Sequence, residues 1–178
     1  MNPWIQIRSG KIVDLLEPDY SALTIADIAY SLAHINRFTG HVGTYSVAQH
    51  CVLVSYHCGS HAKRGVTHDW HEAVIGDFSS PVKQVLRALG GGAAVKELDY
   101  RHMRAVDKRW FNGYFERPDE VHVADMKVLV TERRDFLGDF QAQPWEVDAE
   151  PFEQRIERWS PEYAAKMLQD RALELGLT

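Results

Sequence analysis

Cysteine is scarce in this chain of 178 residues, with only Cys51 and Cys58 present. On a single helix they stand roughly 10 Å apart along the axis at ~1.5 Å per residue, beyond disulfide reach, so they read as reduced core thiols. Long apolar runs are also missing. No stretch approaches the ~20 residues a membrane span needs, and no basic segment followed by an apolar core opens the chain, so a cytoplasmic protein without a membrane partner is expected. Positive charge is in deficit, with 20 Lys and Arg against 25 Asp and Glu. The resulting net charge of -5 repels a long polyanion, and no nucleic acid polymer is expected as a partner. A small phosphorylated molecule remains compatible, because a few placed cations or a bound metal outweigh diffuse charge at short range. Gly90-Gly91-Gly92 has neither a strand before it nor a Lys-Ser/Thr pair after it, and so reads as a joint, not a phosphate loop.

What is present suffices for one domain over residues 1–178, since 45% of the residues are hydrophobic. Trp4 to Arg8 and Lys11 to Leu15 alternate apolar and polar residues around Ser9-Gly10. That pattern predicts a short β-hairpin, forming an appendage over residues 1–20. Thr24 precedes Ile25, Ile28, Ala29, Leu32 and Ile35, a capped helix with one apolar stripe that ends between Arg37 and Gly40. Ser46 to Cys58 predicts a core helix carrying His50. Thr67 to Asp77 predicts one short helix stopped by Gly76, and Pro81 starts the next. A long charged helix is expected from Ala93 to Phe115, another after Pro118, and one or two amphipathic helices between Pro151 and Leu177. The expected class is all-α, a helical bundle with an N-terminal hairpin.

Histidine is over-represented, with nine copies. His68-Asp69 alone is a weak motif, but His50 lies on the apolar helix before it and Asp125 stands in the apolar segment Val121 to Met126. Two imidazoles and two carboxylates form a mixed nitrogen and oxygen set suited to a first-row transition ion, with positions left for water and phosphate oxygens; a soft thiolate site is not expected. Glu72 follows one helical turn after His68, either a proton relay or a surface acid, and Asp77 is either a second acid or a helix cap. Arg37 suits bidentate phosphate binding or a helix C-terminus, Lys83 a phosphate contact or solvent, and Phe38 a base platform or core. His34 and His41 bracket Arg37 and could line its pocket, whereas the other histidines read as fillers. His71-Glu72 is no zinc-protease motif, because position 75 is Ile75.

Arg37-Phe38-Thr39-Gly40-His41, Tyr45 to His50, His68 to Asp77 with Pro81-Val82-Lys83, and Ala124-Asp125 together resemble the HD-domain phosphohydrolases, in particular their compact 5′-deoxynucleotidase-like branch. The length, the Arg-Phe-x-Gly-His block and the hairpin are most similar to the phage dATP triphosphohydrolases that accompany 2-aminoadenine genomes. The resemblance implies an HD-domain bundle with His50, His68, Asp69 and Asp125 as ligands of Zn²⁺, Co²⁺ or Mn²⁺, with Mg²⁺ as a further ion on the substrate phosphates. It implies Glu72 and Asp77 as catalytic and substrate-orienting acids, and Arg37, Phe38, Lys83, His34 and His41 around a nucleotide. The implied reaction is cleavage of dATP to deoxyadenosine and triphosphate, in a host cytoplasm if the chain is phage-encoded. The alternatives are a 5′-deoxynucleotidase acting on monophosphates and, from another class, a nucleotide-sensing module without turnover. A homo-oligomer is expected, a hexamer before a dimer by resemblance, with the C-terminal helices supplying apolar surface beyond one core.

Overall fold

The computed structural model describes residues 3–138 and 145–178; the first two positions of the expected appendage lie outside them. The architecture is a helical bundle with one small antiparallel hairpin. Strands β1 (Trp4–Gln6) and β2 (Ile12–Asp14) pair with Trp4 opposite Asp14, Ile5 opposite Val13 and Gln6 opposite Ile12. Gly10, at φ 83°, turns the chain between them where a side chain would be strained. Val13 is the hairpin's buried anchor, and Lys11 ties the hairpin to Asp27 at 3.2 Å.

Helix α1 (Ile25–His34) starts at a capping box. The Thr24 hydroxyl accepts from the Asp27 backbone N–H, and the Asp27 carboxylate accepts from the Thr24 N–H, so two otherwise orphaned donors are satisfied at once. Its buried stripe of Ile25, Ile28, Ala29, Leu32 and Ala33 packs on α8 (Pro161–Glu174) and α2 (Val47–Tyr56). Helix α2 begins at Ser46, whose side chain caps the Gln49 N–H, and it is buried nearly all round. It is therefore the central helix, and any polar residue on it is set into the core.

The segment expected as one helix from Thr67 to Asp77 is broken. Helix α3 (Ala62–Thr67) ends at His68, a turn carries Asp69 to His71, and α4 (Glu72–Ile75) stops at Gly76 with φ 82°. His68 keeps helical angles, φ −60° and ψ −34°, and the turn after it brings Asp69 to 3.1 Å from its Nε2. Gly65 permits the approach of α3 to α2, since a Cβ there would lie 2.6 Å from the Cys58 sulfur and 3.0 Å from the Ser55 Cα.

Helix α5 (Ser80–Ala88) buries no side chain and packs mainly on α6 (Gly92–Trp110). Helix α6 ends five residues before the expected Phe115, because Asn112 and Gly113 both take positive φ and turn the chain towards α7 (Asp119–Phe136). The C-terminal region forms the single helix α8, whose Ala164, Leu168 and Ala172 are fully buried. Tyr163 and Leu173, on the same helix, remain exposed. No helix of the described residues is long and apolar enough to cross a membrane.

Candidate metal centre

The four residues expected as ligands come from three separate elements and converge. His50 enters from α2, His68 and Asp69 from the turn after α3, and Asp125 from α7. His50 Nε2 lies 3.3 Å from His68 Nε2 and 3.1 Å from Asp125 Oδ1, and His68 Nε2 lies 3.1 Å from Asp69 Oδ2. His50 Nε2 and Asp69 Oδ2 are 3.9 Å apart. Donors held at ~2.1 Å around one ion are separated by roughly 3.0 to 3.4 Å along octahedral or tetrahedral edges, so three of these four spacings have the expected size.

The far side of each imidazole fixes its tautomer. His50 Nδ1–H donates to Glu132 Oε1 at 2.6 Å, and His68 Nδ1–H donates to the Gly65 carbonyl at 2.7 Å. Both Nε2 lone pairs then face each other and the two carboxylates. Such a set of facing acceptors is repulsive unless protons on the imidazoles or a cation sit among them, and the mixed nitrogen and oxygen donors fit a metal ion in that place. Proton affinities follow the same logic. Burial and Arg37 work against the charged form of His50, yet Glu132 and Asp125 hold its pKa above the ordinary value. Burial likewise opposes the charge on His68, but Asp69 raises its pKa well above the usual range. Asp69 and Asp125 stay low despite burial because the histidines stabilise their negative charge.

Glu132 is the residue that the sequence did not single out. It is fully buried and serves three partners at once: His50, the Tyr45 hydroxyl at 2.7 Å, and Arg37 through Nε and Nη2 at 3.0 and 2.9 Å. Burial pushes its pKa up, but Arg37 and His50 outweigh that and keep it ionised. It lies seven positions after Asp125 on α7, two turns along the same face, and that spacing is the one signal in the sequence that could have found it. Arg37 is accordingly engaged behind the candidate ligands through this carboxylate.

The cluster opens into a cleft of about 350 Å³ lined by His68, Asp69, His71, Glu72, Lys83, Asp99, Arg64, Asp107, Arg117, His122 and Asp125, among others. Of the expected acids, Glu72 lies on this wall, 7% exposed, with its Oε2 meeting no partner among the described residues. Burial, then Asp69 and Asp77, raise its pKa well above that of an ordinary carboxyl. Asp77 is half-buried behind it, also raised, by burial first and Asp69 second against the pull of Arg37. Of the expected substrate contacts, Lys83 lines the cleft, paired with Asp99 at 3.1 Å. Arg37, Phe38, His34 and His41 are not among its described lining residues. Phe38 takes φ 54° and stacks on Trp145, with ring centroids 6.1 Å apart; His34 is exposed and bonded to the Tyr30 carbonyl; His41 is exposed. His71 and His122, read as fillers, do line the cleft.

A soft thiolate site was not expected, yet one thiol lies beside the cluster. Cys51 follows His50 on α2, and its sulfur, a His68 ring nitrogen and an Asp69 oxygen all lie within 4.8 Å of one another, as do donor atoms of His50, His68 and Asp125. Buried histidine, aspartate and cysteine groups here could hold a metal ion.

No family model matches the chain. It is 34% identical over 119 residues to an uncharacterized protein of Rhodobacter capsulatus, covering 60% of this chain and 58% of that protein. It is 36% identical over 150 residues to the uncharacterized protein YfdR of Escherichia coli K12, covering 81% of this chain and 78% of that protein. The chain thus spans less than two thirds of the first relative but more than three quarters of the second, and it belongs to the same family as YfdR.

Proposed function

We propose that this protein is a metal-dependent phosphohydrolase of the HD-domain type, acting on a nucleotide phosphoester. The observation that carries the reading is the convergence of His50, His68, Asp69 and Asp125 at one end of an open cleft, beside a buried, unpartnered Glu72. A divalent ion bound by those residues would polarise a phosphoryl group and acidify water towards a pKa of ~7. Glu72, whose burial and neighbouring Asp69 raise its pKa well above that of an ordinary carboxyl, can donate a proton to the departing oxygen and recover one from the attacking water. Asp77 adds to that rise through like charge, after burial and Asp69. Lys83 offers the cleft a point charge for phosphate oxygens once Asp99 yields it.

The favoured substrate is dATP, cleaved to deoxyadenosine and triphosphate, on the strength of the motif resemblance. A 5′-deoxynucleotidase reading is favoured by a specific feature: Arg64 and Lys83 are already paired with Asp107 and Asp99, so few free cations line the cleft for a polyphosphate. Zn²⁺, Co²⁺ and Mn²⁺ all suit the donors, with Mg²⁺ assigned to substrate phosphates. A homo-oligomer is proposed as well, with the exposed Val82, Val85 and Leu89 of the α5 region as an apolar face beside the exposed Tyr163 and Leu173 of α8; a monomeric mass by light scattering would refute it.

The test is to incubate the full chain with each dNTP and each dNMP in the presence of Zn²⁺, Co²⁺, Mn²⁺ or Mg²⁺ and resolve the products. Triphosphate release from dATP supports the first reading, and inorganic phosphate from monophosphates alone supports the second. If nucleotide binds but no metal supports turnover, the chain is a sensing module.

A further inference from the structure

Two donor triads share His68. One is His50, His68 and Asp125; the other is Cys51, His68 and Asp69. His68 has only one ring nitrogen to offer, because Nδ1 donates to the Gly65 carbonyl. The two triads therefore describe one ion, not two. Donors at ~2.1 Å for nitrogen or oxygen and ~2.3 Å for sulfur cannot stand more than about 4.5 Å apart across a single centre, and the Cys51 sulfur lies within 4.8 Å of both its triad partners. The sulfur is thus within reach of an ion that His68 and Asp69 hold.

Position and neighbours support this. Cys51 is fully buried on α2, one residue after His50, so its sulfur has no solvent partner. Glu72, more than nine-tenths buried, lines the same cleft with an oxygen that has no partner among the described residues, a second sign that the pocket is built to receive a cation or ligand. Cys58, the other thiol, is differently employed: its S–H donates to the Val54 carbonyl at 3.0 Å.

We infer that Cys51 supplies a sulfur donor to this metal centre and biases it towards thiophilic ions, Zn²⁺ and Co²⁺ before Mn²⁺ or Mg²⁺. The inference rests on the metal-centre reading above. Coordination exchanges the S–H bond for a metal–sulfur bond, and the proton leaves to the buffer. Soft thiolate selects zinc-like ions where a set of imidazole and carboxylate alone would not discriminate.

The experiment loads the full-length chain with Co²⁺ and records its absorption. Visible cobalt bands report binding, and a thiolate-to-cobalt charge-transfer band in the near ultraviolet reports sulfur. The wild type is expected to show both, Cys58→Ser to keep both, and Cys51→Ser to keep the visible bands but lose the charge-transfer band. Competition with Mn²⁺ should show the preference for Zn²⁺ falling about tenfold or more in Cys51→Ser. Visible bands without charge transfer in the wild type would overturn the assignment of Cys51 alone, as would a charge-transfer band that survives in Cys51→Ser. Absence of any cobalt spectrum would overturn the metal-centre reading itself. Should Cys51→Ser fold poorly, Cys58→Ser still decides the matter, since a charge-transfer band there can come only from Cys51, the one remaining cysteine.

Discussion

Glu132 accepts the Nδ1 proton of His50 across 2.6 Å while its other oxygen takes two hydrogen bonds from Arg37. The carboxylate thereby fixes which nitrogen of His50 faces the cluster, raises that nitrogen's basicity, and keeps Arg37 neutralised inside the protein. Glu132→Gln retains the shape but loses the charge. Metal affinity is expected to fall about 10- to 100-fold, measured by competition with a chelating dye. Unpairing the buried Arg37 is expected to cost about 3 to 5 kcal/mol in urea unfolding. Unchanged metal affinity would show that His50 is oriented by packing alone.

Gly65 sets the separation of α3 from α2, and through the turn that follows it sets the position of His68. A Cβ at this position would meet the Ser55 Cα at 3.0 Å and the Cys58 sulfur at 2.6 Å, so Gly65→Ala forces the helices apart. The expected loss is about 1 to 3 kcal/mol, with weaker metal binding as His68 moves away from His50. Adding Cys58→Ala should restore only part of the stability, because the sulfur is removed while the Ser55 backbone stays. Full recovery in the double variant would show that the backbone contact does not matter.

Much of this frame was legible in the sequence because its determinants are local. Thr24 and Ser46 are caps whose partners lie three residues on, and the hairpin turns at a glycine that its alternating flanks predict. The candidate metal set was legible for another reason: His50, Asp69 and Asp125 are polar residues in apolar surroundings and need a partner there. What was not legible depends on three-dimensional juxtaposition. Helix α3 reads Ala-Lys-Arg-Gly-Val-Thr, with a glycine and two β-branched residues that hide a helix until its packing on α2 is known. Arg37 looks the same in sequence whether it meets phosphate or Glu132, 95 positions away. Cys51 looks like core because it is core; only the angle between neighbouring residues on α2 brings it to His68 as well.

Acid should strip stability from the N-terminal hairpin and α1 first. Burial alone would raise the Asp27 pKa, but hydrogen bonds from the Thr24 backbone and side chain, from Ser9 and from Lys11 lower it from 3.8 to about 2. A depressed carboxylate contributes stability that is complete above its unfolded pKa and disappears as pH falls through the folded value. The contribution is therefore present above about pH 4 and is lost between pH 4 and 2. Asp27→Asn is expected to cost about 1 kcal/mol at neutral pH and to converge with wild type near the bottom of that window, as read by thermal melts across pH. A constant difference between the two chains down to the lowest pH would separate Asp27 from the acid response.

Metal binding should stabilise the fold, and more so as pH rises. In the free protein, Asp69, Asp125 and Glu132 hold the His68 and His50 pKa values above their ordinary range against the effect of burial. Protons on these imidazoles then stand in for the ion. A raised histidine contributes stability that is complete below its unfolded pKa and is lost as pH climbs through the folded one, so the metal-free chain weakens on that climb. The metal-loaded chain gains instead, since fewer protons have to be displaced. At a metal concentration of about 100 times Kd the stabilisation is about 2.7 kcal/mol, roughly 5 to 10 °C in Tm for a domain of this size. The Tm difference between metal-loaded and chelator-treated protein is expected to be larger near about pH 8 than near about pH 6, and to vanish in Asp69→Ala. A difference that stays constant with pH would mean that the ion binds somewhere other than these two histidines.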